Sequence, residues 1–102
     1  MKAIINYKLY NTETAKELVS YCNGFGQGDF RYIHETLYRK KTGEYFLYGH
    51  GGAMTIYCKP CGNNSWSGGG AIRPFTEREA QKWVMEHCDA DTFINLFGEV
   101  EE

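Results

Sequence analysis

"FRYIHETLYRKKTGEYFLYG", residues 30–49, is the stretch that decides how this chain folds. Its first ten residues alternate with a period of two. Phe30, Tyr32, His34, Thr36 and Tyr38 fall on one face, and Arg31, Ile33, Glu35, Leu37 and Arg39 on the other. Lys41-Thr42-Gly43-Glu44 then supplies a tight turn, because Gly43 tolerates positive φ. "EYFLYG" returns as a second strand rich in aromatic residues. The pattern predicts a β-hairpin over about 30–48, antiparallel by construction.

Working outward, residues 2–10 alternate weakly and predict a short strand that bends back at Asn6-Tyr7. "TETAKELVSYCNG" predicts a helix over about 13–22. Thr14 and Glu17 are spaced as a capping box, Ala15, Leu18, Val19 and Cys22 form an i, i+3, i+4, i+7 stripe, and Asn23-Gly24 is a stop. On the other side, Met54–Tyr57 reads equally as a third strand or a helical turn, and residues 59–70 read as loop. "AIRPF" predicts a short strand at an edge or ending at Pro74, since proline cannot donate to a ladder. Thr76 and Glu79 form a second capping box, opening a helix over about 77–88 whose inward stripe is Ala80, Trp83, Val84 and His87. A last helix follows over about 90–97. Hairpin-linked strands with helices at both ends predict an α+β fold: a small antiparallel sheet of three to five strands packed by two or three helices. At 102 residues the expectation is a single domain spanning 1–102.

A net charge of −2 gives no electrostatic case for non-specific binding to nucleic acid or an anionic membrane. The apolar runs are only a few residues long, so no segment is suited to span a bilayer. The first ten residues lack the apolar stretch of ~7–15 residues that a secretory signal needs. A cytoplasmic protein is the expectation, with its four cysteines as thiols.

Cys58-Lys-Pro-Cys61 is the first candidate for chemistry. Two thiolates at this spacing suit one zinc ion, and a structural site needs two further ligands from Cys22, Cys88, His34, His50 or His87. A redox reading needs a helix directly after the motif, and a Gly/Asn loop follows instead. The ordinary reading, two cysteines at a strand end and loop, leads. Gly49, Gly51, Gly52 and Gly68–Gly70 lack the following helix that a phosphate-binding loop requires, so they read as turns and bulges. Cys58 or Cys61 with His50 and Glu35 can be written as a nucleophile, base and orienting acid, a combination of low specificity. Arg39-Lys40-Lys41 among tyrosines suits either single-stranded nucleic acid or a guarded sheet edge, and the edge is favoured.

Four segments carry a resemblance: "MKAIIN.KLYNTETA", "DFRYIHETLYRKKTGEYFLYGHGGAMTIY", "GNNSWSGGGAI.P" and "TEREAQKWVMEH". Together they resemble a largely uncharacterised family of proteins of about this length, carried by bacterial integrative and conjugative elements and prophages. The family pattern has Gly where this chain has Tyr7, and it does not regularly carry Cys58 or the full cysteine pair. That lowers the zinc and redox readings further. The resemblance implies an accessory role, including antagonism of host defence such as anti-CRISPR activity, and it supplies no catalytic residue.

The resulting expectation is a non-enzymatic protein that binds a host or element-encoded protein, without a cofactor and with homodimerisation open. Tyr and Trp are favoured interface anchors. The expected surface is the loop Asn63, Asn64, Ser65 and Trp66 with the hairpin residues Arg39, Tyr45 and Tyr48. Trp66 reads equally as a plug folded onto the sheet. The alternatives are a small zinc domain at Cys58 and Cys61 and a nucleic-acid-binding accessory protein.

Overall fold

A computed structural model describes residues 1–26, 28–60 and 66–100. In chain order the strands are β1 (Lys2–Ile5), β2 (Lys8–Asn11), β3 (Lys16–Cys22), β4 (Ile33–Arg39), β5 (Tyr45–Gly51), β6 (Lys59–Pro60), β7 (Trp66–Ser67) and β8 (Gly69–Phe75). The helices α1 (Glu77–His87) and α2 (Ala90–Phe97) follow. The α+β class is as the sequence predicts. Its main sheet has the antiparallel order β3-β4-β5-β8, and β1-β2 and β6-β7 are separate two-stranded ribbons.

The central hairpin is β4-β5, in register from Ile33 opposite Gly51 to Arg39 opposite Tyr45. Its period-two pattern sends Leu37 and Leu47 to one side and Phe46 to the other, each with no exposed surface. On the first side α1 lays Ala80, Trp83 and Val84 over Leu37, Leu47 and Tyr45, and α2 adds Phe93, Leu96 and Phe97. Burying each of these larger apolar side chains contributes about 1.5–3 kcal/mol. On the second side Tyr10 of β2 meets Phe46 edge-on, while Ile72 and Tyr38 complete that smaller core.

The first hairpin bends where expected. Asn6 and Tyr7 have φ of 52° and 64°, the left-handed pair that a two-residue hairpin turn requires. Both C-terminal helices also appear, and α1 carries the full Thr76–Glu79 capping box. Pro74 sits on β8, an edge of the main sheet.

The helix expected over 13–22 is a correction. Residues 16–22 form the edge strand β3, paired with β4 from Lys16 opposite Arg39 to Cys22 opposite His34. The apolar spacing has a different cause. A register irregularity between Glu17 and Val19 breaks the alternation, and Leu18 and Val19 both pack on the helix-side core. The cap signal has another cause as well. Asn11 Oδ1 accepts from Glu13 N–H and Asn11 C=O accepts from Ala15 N–H, so this segment is a turn between strands. Met54–Tyr57 is likewise neither strand nor helix but a pair of turns.

Candidate functional site: a latched loop beside a cleft

Glu35 is the polar residue that the alternation places among Ile33 and Leu37 on the helix side of β4, and it is 5% exposed. A carboxylate so placed is destabilising unless donors surround it. Three elements supply them. Trp83 of α1 donates its indole N–H to Oε1 at 3.1 Å. Arg73 of β8 donates from Nη2 to Oε2 at 3.0 Å, and the Tyr57 hydroxyl donates to the same oxygen. Arg73 Nη2 also lies 3.2 Å from the Tyr57 hydroxyl. Both carboxylate oxygens are therefore occupied, and one buried anion ties β4, β8, α1 and the 52–58 loop together.

Tyr57 reaches Glu35 only because of Gly49. Glu35 and Gly49 stand opposite each other across β4 and β5, and the Tyr57 ring lies in the space that a side chain at 49 would fill. A Cβ there would overlap the phenol ring and its oxygen. Tyr57 is 4% exposed, and its hydroxyl is held protonated far above the ordinary tyrosine range. Burial is the main cause, followed by the hydrogen bond to Glu35 and its charge. Gly51, Gly52 and Gly68 have packing reasons too. A Cβ at Gly68 would strike the carbonyl of Gly51, so they serve close chain approach.

With its end pinned, the 52–58 loop follows a fixed path. Gly52 N–H donates to Tyr32 C=O, Met54 N–H to Phe30 C=O, Thr55 N–H to Gly52 C=O and Cys58 N–H to Thr55 C=O. Tyr57 points inward, while its neighbours Met54 and Ile56 point out, each 71% exposed. Phe30, bonded through its backbone to Met54, is 66% exposed. Ile56 also borders a cleft of about 650 Å3 between α1 and the end of the sheet. Tyr21, Asn23, Ile33, Arg73, Trp83 and His87 contribute to the cleft walls. Asn23 shapes that rim, donating to Arg31 C=O and accepting from Ile33 N–H. His87 donates from Nδ1 to Trp83 C=O at 2.8 Å, and its ring packs on Tyr21 and Trp83.

The residues singled out from sequence fall in several places. Tyr45 is buried beside Phe97 on the helix side, with the exposed Arg39 guanidinium 5.7 Å from its ring. Tyr48 is half-buried on the opposite face beside His50. The structure therefore does not gather Arg39, Tyr45 and Tyr48 on one surface. Asn63, Asn64, Ser65 and Cys61 lie outside the described residues, and Trp66 is placed by its backbone opposite Pro60.

Cys58 is half-buried, and Cys22 and Cys88 lie on different sides of the sheet, at the end of β3 opposite His34 and against the helix-side core. Among the described residues no three His, Cys, Asp or Glu side chains converge on a metal position. The nucleophile–His50–Glu35 combination fails geometrically, because Glu35 and His50 occupy opposite faces of the sheet.

Sequence reasoning passed over Tyr57, Arg73 and Trp83. A signal for them existed: an acid on the inward face of a strand, directly across from a strand-interior glycine, demands donors and makes room for one. Compared with family models, with curated proteins and with solved structures, the chain finds no match. Among the described residues no helix is long and apolar enough to cross a membrane.

Proposed function

We propose that this is a non-enzymatic binding protein that engages a host or element-encoded protein through the latched loop and the adjoining cleft. The observation that carries the reading is the pair Met54 and Ile56, both largely exposed on a loop whose intervening backbone and Tyr57 anchor are tied down. Exposed apolar side chains on a fixed frame suit association, because little ordering entropy is lost on binding. Arg73 adds a polar mark at the cleft: its side chain is 44% exposed although Nη2 is committed to Glu35. The resemblance to accessory proteins of mobile elements supports a role in antagonising a host defence system such as CRISPR–Cas. The occupied oxygens of Glu35 favour a scaffolding over a catalytic part for this residue.

The test is affinity capture from host cells with tagged wild type and a Met54→Asp/Ile56→Asp variant, followed by direct affinity measurement with the captured protein. A charge on each anchor is expected to weaken binding at least about tenfold, as loss of a central contact does. Equal binding by both chains, with folding of the variant confirmed, would exclude this surface.

A further inference from the structure

The sheet face opposite the helices ends in a row that the proposed binding surface does not use. Cys22, His34, His50 and Gly70 stand opposite one another across β3, β4, β5 and β8, so the positions share one face. His34 and His50 turn their rings together, with His34 Nδ1 3.3 Å from His50 Nε2. The other nitrogen of His50, Nδ1, lies 3.2 Å from the hydroxyl of Tyr32, which is itself 8% exposed. Gly70 leaves room beside the pair: a Cβ there would approach His50 Cβ to 3.4 Å and the Tyr48 hydroxyl to 3.3 Å.

The separation of the two nitrogens is compatible with two physical accounts. As a hydrogen bond, 3.3 Å is long beside the about 2.7–3.2 Å usual for N–H···O contacts. As a ligand pair it fits. Two nitrogens each ~2.0–2.1 Å from a tetrahedral zinc ion are themselves about 3.3 Å apart. The outer contact agrees. When Nδ1–H of His50 donates to the Tyr32 oxygen, Nε2 keeps a lone pair toward His34, the arrangement by which an outer partner fixes a metal-binding imidazole.

We infer that His34 Nδ1 and His50 Nε2 form a two-histidine site for a divalent transition-metal ion such as zinc, with Tyr32 positioning His50. Among the described residues no third protein ligand joins them. With water in the remaining positions such a site is open, unlike a closed four-ligand structural centre.

The test is a titration of 15N-labelled protein with Zn2+, read at the histidine ring nitrogens. Saturable shifts at His34 Nδ1 and His50 Nε2 are expected, with the His87 ring, already bonded to Trp83 C=O, unmoved. Zinc uptake that leaves both of the first two nitrogens unperturbed, as at a cysteine site, overturns the inference, and so does an absence of uptake. His34→Gln and His50→Gln are each expected to weaken uptake at this site by about tenfold or more, and Tyr32→Phe by about tenfold. Unchanged affinity in both glutamine variants overturns it equally. The ring spectra of the wild-type chain decide the matter alone if a variant does not fold.

Discussion

Glu35 shows how much one residue can organise when it is buried as an anion. Its two oxygens gather an indole, a guanidinium and a phenol from three separate elements, so the side chain acts as a joint between the sheet, α1 and the 52–58 loop. Glu35→Gln keeps the shape but replaces one acceptor oxygen with a donor, which then faces Trp83 or Tyr57 and Arg73. That mismatch is expected to lower unfolding free energy by about 1–3 kcal/mol in urea denaturation. A change within about 0.5 kcal/mol, the usual range for surface substitutions, would mean the joint is weaker than its geometry implies. Glu35 is legible in the sequence as an inward acid. Its partners are not, because Tyr57, Arg73 and Trp83 lie 22, 38 and 48 residues away. Local periodicity carries no information about which distant donor arrives.

Among the elements, legibility follows how local the determining physics is. The β4-β5 hairpin, the Asn6-Tyr7 turn and the α1 cap are set within a few residues, and sequence and structure agree on them. Residues 13–22 are the contrary case. A broken alternation at Leu18 and Val19 mimics a helical stripe, and pairing with β4 selects the strand, a tertiary preference that outweighs local propensity. The first hairpin carries its own strain. Tyr7 adopts φ of 64° and is fully exposed, so its side chain gains no packing to offset the left-handed backbone. Tyr7→Gly is therefore expected to stabilise the chain by about 1 kcal/mol in thermal or urea unfolding. Destabilisation would show that Tyr7 has a contact that offsets the strain.

Across the whole molecule, two faces of one sheet are used differently. The helix side buries the larger core and ends in the Glu35 joint, beyond which the loop presents Met54 and Ile56. The opposite side buries Phe46 and Ile72 under the first hairpin and ends in the histidine pair. The expected site at Arg39, Tyr45 and Tyr48 divides between these faces, since positions 45 and 48 differ by an odd number in one strand. The α+β architecture was thus accessible from patterning, whereas the assembly of a surface required knowing which loop folds back over Gly49. The central claim is that the Tyr57–Glu35 contact fixes that loop as a presented surface. Amide hydrogen exchange on Tyr57→Phe beside wild type tests it most directly. The amides of Gly52, Met54, Thr55 and Cys58 are expected to exchange about tenfold faster, matching the loss of one buried hydrogen bond, while those of Leu37 and Leu47 hold their rates. Unchanged exchange at those four amides would contradict the claim.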